Sequence, residues 1–168
     1  QQRLSGYLSE WLEGFTELGL DEEQRFHLVG TQEAVRLRFN QSERLKGLCL
    51  QLLATLYVPD SGSCLTQVQV NSGDFMGRID HKQSHVRLIA AREIEEGVDP
   101  AGFLEGLFAP QGELAGYPVF LYPEDPDEIG RCLVDGWTHA WGKREIAVDK
   151  AIHAVEEHIR QDRLFPNP

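Results

Sequence analysis

Leu4, Leu8, Trp11, Leu12, Phe15 and Leu18 recur close to the 3.6-residue spacing of an amphipathic helix. The pattern predicts a helix over residues 3 to 18, with Gly19 placed to close it as a left-handed cap. One apolar stripe needs a cover, either a sheet or another subunit. Downstream the period changes. In "VRLRF", Val35, Leu37 and Phe39 alternate with Arg36 and Arg38, the period of two of a half-buried strand. "RFHLV" reads as the strand before it, preceded by the turn "DEEQ", so that residues 26 to 39 read as a hairpin.

Residues 44 to 59, "RLKGLCLQLLATLYVP", fit two periods. Leu48, Leu50 and Leu52 alternate as in a strand, whereas Leu45, Leu48, Cys49, Leu52, Leu53 and Leu56 form a helical stripe with Ser42 as its N-cap. Pro59 ends either version. "CLTQVQV" is likewise open between strand and short helix. "FMGRI" at 75 to 79 and "HVRLIAAREI" at 85 to 94 read as a second hairpin around "DHKQS". Asp99 and Pro100 mark a helix start, with Phe103, Leu104, Leu107 and Phe108 as its buried face. "YPVFLYPEDPDE", with Pro118, Pro123 and Pro126, suits an edge strand and a rigid turn. "DEIGRCLVDGWTHAWG" reads as a helix interrupted by Gly136 and Gly142, and Val148, Ile152, Val155 and Ile159 give a last helix from about residue 145 to 163. The fold class is α+β: an antiparallel sheet packed with helices, an N-terminal helix followed by a β-meander, and a helical C-terminal extension. The division is an α+β domain at 1–110 and an extension at 111–168.

Composition narrows the function. The net charge of −11 argues against a nucleic-acid backbone or an anionic membrane surface as partner, since both require clustered Lys and Arg. It fits attraction to basic partners, or a role limited to solubility. No run approaches the ~18 apolar residues of a membrane span. The opening "QQRLSGYLSEWLEG" shows no basic flank and apolar run of a secretory signal, with an upstream segment left open. Cys49, Cys64 and Cys132 are odd in number and widely spaced, which reads as reduced thiols in the cytoplasm.

Candidate chemistry is sparse. Asp149, His153 and Glu157 would share one helix face and could hold a metal or serve acid–base chemistry, but such a set lacks ligands from elsewhere and equally describes a solvated face with i, i+4 pairing. Trp137, His139 and Trp141 fit a pocket wall or interface, or plain core. His27 and His85 read as cross-strand neighbours rather than ligands. No phosphate loop, nucleophile elbow or C-x-x-C occurs, so no cofactor and no metal is expected and the chain reads as a non-enzyme.

"LGLDEEQRFHLV" after an amphipathic helix, then "VRLRF", and later "GRIDHKQSHVRLIAAREIEEGVDPAGFLEGLF", resemble the class I type III secretion chaperones, the Tir-chaperone-like family, over residues 4 to 109. That family runs helix, three strands, helix, two or three strands, helix. The resemblance implies a cytoplasmic homodimer that holds an extended effector segment in an export-ready state, through apolar grooves and strand edges and without a cofactor. It points to Val35, Leu37, Phe39, Leu48 and Leu50 as protein-binding residues, with core packing as the alternative for each. Two features depart from the family pattern. Its middle helix would fall near residues 57 to 72, where "YVPDSGSCLTQVQVN" is a poor helix, and its compact members lack the segment after residue 110. Two further readings stand beside it: an inhibitor or immunity-type protein whose acidic surface blocks a folded basic partner, and a small enzyme using Asp149, His153 and Glu157.

Overall fold

The computed structural model describes residues 12 to 141 apart from 31–33, 67–68, 81–82, 92, 110–112, 115–116 and 120. The chain is α+β. Strands β1 (Thr16–Leu20), β2 (Phe26–Leu28) and β3 (Val35–Arg36) come first, then helix α1 (Phe39–Leu56), strands β4 (Phe75–Ile79) and β5 (Ser84–Leu88), and helix α2 (Pro100–Phe108). A two-stranded ribbon, β6 (Glu113–Leu114) with β7 (Tyr117–Pro118), precedes helix α3 (Pro126–Trp141). The five strands β1 to β5 form one antiparallel sheet in the order β3-β2-β1-β4-β5. β1 holds it together, pairing with β4 through Thr16 and Glu17 and with β2 through Leu18, Gly19 and Leu20.

This corrects the expectation of a helix at the N-terminal end of the fold. Among the described residues strands precede the first helix; residues 16 to 18, the end of the expected helix, belong to β1, and residues 12 to 15 form a turn ahead of it. Leu18 fits the helical stripe but also alternates with Leu20 at a period of two, and pairing on both sides of the strand decides between them. Gly19 is not a helix cap. It lies opposite His27, whose ring crosses it so closely that a Cβ at 19 would sit 2.4 Å from Nε2. Leu4, Leu8 and Trp11 lie outside the described residues, as do the helix expected at 145 to 163 and the trio Asp149, His153 and Glu157.

The "VRLRF" strand is also shorter than its alternation suggests. β3 ends at Arg36, and the chain turns into α1 at Phe39. The Arg38 N–H donates to Gln41 Oε1 at 3.0 Å, so Arg38 and not Ser42 marks the helix start. Ser42 sits inside α1, and its Oγ accepts the Phe26 N–H at 2.9 Å in a buried bond. The ambiguity over residues 44 to 59 resolves as helix: Leu45, Cys49 and Leu53 are fully buried in the stripe that the 3.6 period describes. "CLTQVQV" is neither strand nor helix over its described residues, and makes an isolated bridge between Cys64 and Glu95. The second hairpin appears where expected, though β5 stops at Leu88.

α1 lies between two layers. Leu45, Cys49 and Leu53 belong to the core that includes Leu18, Phe26, Phe75 and Val86 of the sheet, with Ser42 buried beside them, and α3 runs along another flank of the same helix. The close approach of the two helices depends on missing side chains. A Cβ at Gly136 would sit 2.5 Å from the Gln51 carbonyl oxygen and 2.7 Å from Ala54 Cβ, while one at Gly47 would sit 2.9 Å from Cys132 Sγ. Gly136 therefore does not interrupt α3, which runs through it unbroken. Trp137, one residue on, is fully buried, so its role is core rather than interface, whereas His139 is exposed. The Phe103 ring of α2 stacks on Tyr57 at 4.7 Å and lies 6.4 Å from Trp137, tying α2 to the ends of both longer helices. Tyr57 Oη donates to the Val98 carbonyl at 2.9 Å, and the Asp99 side chain caps α2 by accepting the Gly102 N–H at 2.8 Å.

Two glycines of α3 should respond to alanine with opposite signs. Gly136→Ala forces a Cβ against backbone and should destabilise by about 1–2 kcal/mol despite the better helix propensity. Gly130→Ala meets nothing within 4 Å and should stabilise by up to about 1 kcal/mol. Urea unfolding of the two variants beside the parent measures both.

Candidate functional site

The start of α1 is the most feature-rich surface of the described protein. β3 is the short outer strand of the sheet, and Val35 on it is 57 % exposed. Two residues on, Leu37 is buried and acts as the apolar anchor just before the helix. Phe39, the first residue of α1, is 48 % exposed, with the Arg25 guanidinium 5.7 Å from its ring centre. The five residues singled out from sequence thus separate. Val35 and Phe39 are surface, Leu48 is half-buried against the core, and Leu37 and Leu50 are core residues with almost nothing to offer a partner.

Phe39 opens onto a cleft of about 580 Å³ between the first turns of α1 and α3, walled by Arg44, Pro123, Asp125, Glu128 and Arg131. The α3 side is built by local sequence. Pro126 occupies the first helical position, the Asp125 side chain accepts the Asp127 N–H at 3.0 Å, and the acidic first turn suits the positive end of the helix. Glu128 is the hub. Its Oε1 lies 3.4 Å from Arg44 on α1, and its Oε2 accepts from Arg131 Nε at 3.0 Å and from the second Arg131 nitrogen. Partial burial would push the Glu128 carboxyl up, but hydrogen bonds and charge from Arg131, the Cys132 thiol and Arg44 hold it below its ordinary range. Glu43 closes the other wall: one oxygen pairs with the buried Lys46 ammonium at 3.0 Å and the other accepts the Glu124 N–H at 2.7 Å. The cleft is thus an acidic-rimmed slot with an aromatic edge and internally paired charges.

The outer side of the β2–β3 hairpin carries a second charged group. Asp21 Oδ1 accepts the N–H groups of Glu23 and Arg25 at 3.0 and 2.9 Å and shapes the turn after β1. Its other oxygen lies 3.2 Å from Arg36 Nε, and Glu23 pairs with both Arg36 and Arg25. His27 faces Gly19 and Arg36 across the strands, and His85 faces Arg78, so both are cross-strand neighbours.

Burial keeps the three cysteines as free thiols: it pushes Cys49 up strongly, Cys64 to about 11 and, with the Glu128 carboxylate adding, Cys132 to about 12. None is a thiolate nucleophile at neutral pH. Among the described residues no group of three or more His, Cys, Asp or Glu is placed to hold a metal ion, and no helix is long and apolar enough to cross a membrane.

Compared with protein-family models, curated proteins and solved structures, the chain gives no match. The site is therefore read from its own geometry. Sequence pattern found Val35 and Phe39 but missed the charged slot, whose residues come from two segments far apart in the chain. The local trace of it was the Glu128–Arg131 pair at i, i+3 behind Asp125–Pro126.

Glu128→Gln removes a carboxylate that the fold stabilises in its charged form, so the parent should be the more stable by under about 1 kcal/mol at neutral pH. Because the folded carboxyl titrates below the unfolded one, that advantage holds above the ordinary carboxylate range and disappears as pH falls through the lowered folded value. Thermal unfolding of both proteins between neutral and strongly acidic pH measures the convergence.

Proposed function

We infer that the chain is a protein-binding module that holds an extended segment of another polypeptide against its sheet, in the manner of the class I type III secretion chaperones it resembles. The observation that carries this reading is the outer strand β3, unpaired on its far side among the described residues, with exposed Val35 and exposed Phe39 beside it. An open edge offers main-chain hydrogen bonds, and flanking apolar side chains offer pockets for alternate residues of an added strand. A segment held this way gains order only when bound and stays unfolded for a later step such as export.

Part of the order of elements supports the family resemblance, though the helix that opens the family pattern is not matched, since strands come first among the described residues. Three strands, a helix, two strands and a helix follow one another from β1 to α2. The helix after the third strand is Phe39–Leu56, ahead of the region 57 to 72 in which the family's middle helix was looked for. The homodimer, the effector as client and the cytoplasmic setting belong to the same proposal.

A second reading has one observation in its favour. Glu43, Glu124, Asp125 and Glu128 give the α1–α3 slot an acidic rim, which suits an inhibitor or immunity-type role against a folded basic partner.

Affinity capture from the native host with the tagged chain separates the two. The holder of an extended segment should retain a partner whose contact region is protease-sensitive when free. Val35→Asp and Phe39→Asp should each reduce retention about tenfold by placing charge at an apolar contact. Ile94→Asp, at another exposed apolar residue, should leave it unchanged. Retention of a folded basic protein, lost at high salt and in Asp125→Lys but not in Val35→Asp, would replace this reading with the inhibitor.

A further inference from the structure

The opposite margin of the sheet, β5, is the longer one and its main-chain groups can be assigned. The Ile89 N–H donates to the Asp74 carbonyl and the Asp80 N–H to the Gln83 carbonyl, both at 2.8 Å. Gln83, His85, Arg87 and Ile89 therefore turn their main-chain groups towards β4, and alternation turns those of Ser84, Val86 and Leu88 to the open side. The Val86 carbonyl agrees with this assignment. It accepts from the Arg87 guanidinium at 3.4 Å, a weak contact folded back along the edge. Three outward N–H and C=O pairs in a row, with no strand beside them among the described residues, form a strand template.

The two faces of this edge differ in chemistry. Val86 and Leu88 lie on the side of α1 and join the core, with Val86 buried. His85 and Arg87 lie on the other side, where Arg78 of β4 and Arg87 stack on the Phe15 ring at 5.0 and 5.7 Å. Arg78 and His85 share Asp80, at 3.3 and 3.7 Å. Arg87 has no carboxylate within ion-pair distance among the described residues. In a chain of net charge −11 this margin is locally cationic. A second copy fits poorly, because antiparallel self-pairing centred on Val86 would set each Arg87 against the other copy's His85 and leave the cation without a counter-charge.

We propose that β5 accepts, as a sixth strand, an extended segment of another polypeptide that alternates acidic with apolar residues, the acidic side chains beside His85 and Arg87 and the apolar ones beside Val86 and Leu88. The proposal rests on the reading of the chain as a holder of extended segments, and adds to the β3 edge a second acceptor edge, β5, with the class of sequence it takes. A cleft of about 510 Å³ at the start of β5, with Asn40, Gln41 and Arg44 from α1 facing Gln83 and Ser84, continues the edge with side-chain amides suited to the main chain of a segment leaving the sheet.

The test uses the full chain with two synthetic peptides, one alternating Glu with Val and one alternating Lys with Val, followed by fluorescence anisotropy and residue-resolved amide exchange. The Glu–Val peptide should bind and slow exchange at Ser84, Val86 and Leu88, leaving His85 and Arg87 unchanged. Arg87→Glu should weaken that peptide about fivefold or more and favour the Lys–Val peptide. Ser84→Pro, which removes one outward N–H at the first strand residue, should weaken both irrespective of charge. Protection at Val35 and Arg36 instead, or binding by neither peptide to a chain that still retains an extended native partner, overturns the assignment to β5 and leaves the general reading standing. Binding by neither peptide together with retention of a folded partner overturns both. Protection at the β5 edge that rises with protein concentration in the absence of peptide assigns it to a second copy and overturns the proposal.

Discussion

Ser42 Oγ, one turn into α1, accepts the N–H of Phe26, the first residue of β2, with both groups sealed from water. A buried amide N–H left without a partner costs about 1–3 kcal/mol, so this bond fixes where the helix sits on the sheet as well as holding it there. Once that contact is set, Leu45, Cys49 and Leu53 fall over the strands, and Gly47, Gln51 and Ala54 are presented to α3. The glycines at 47 and 136 then let the second helix come close enough to shut the other side. α1 is thereby used twice, and the face of the sheet that it covers is closed. Among the described residues, the two strand edges and the slot between the helix starts are left open.

The sequence made parts of this plain and hid others for physical reasons. The β4–β5 hairpin and the Asp99–Pro100 helix start follow from local turn chemistry, and the α+β class followed with them; the helix through Trp137 was expected too, though as one interrupted at Gly136. Over the described part of the expected helix, residues 12 to 18, no helix forms: Leu18 suits the helical stripe and also an alternation with Leu20, and only pairing with β2 and β4 selects the strand. Alternation in "VRLRF" ran past the true strand end because Leu37 anchors a helix start while Phe39 begins it. Ser42 looked like a cap, yet its hydroxyl serves a residue sixteen positions earlier, which no local pattern announces. The charged slot was invisible for the same reason: Arg44 and Glu128 meet only once α1 and α3 have packed.

The site follows from what the core leaves over. Leu37 and Leu50 were attractive as binding residues on pattern, but the folded chain needs them inside. Val35 and Phe39 are left outside, at an edge two residues long. In the slot Glu128 is held by arginines from two helices and Glu43 by Lys46, so the slot resembles a rigid wall more than a reactive centre. The thiols are shut away as neutral groups. Such a surface has shape, edges and local charge of both signs, which are means of recognising a polypeptide.

The central claim is that the partner is held as an added strand. Backbone NMR of an isotope-labelled partner segment, recorded free and bound to the full chain, tests it most directly. The account predicts coil-like shifts when free and strand-like shifts when bound, with intermolecular amide contacts to an edge of the five-stranded sheet. A segment already folded when free, or one that binds as a helix, would contradict it.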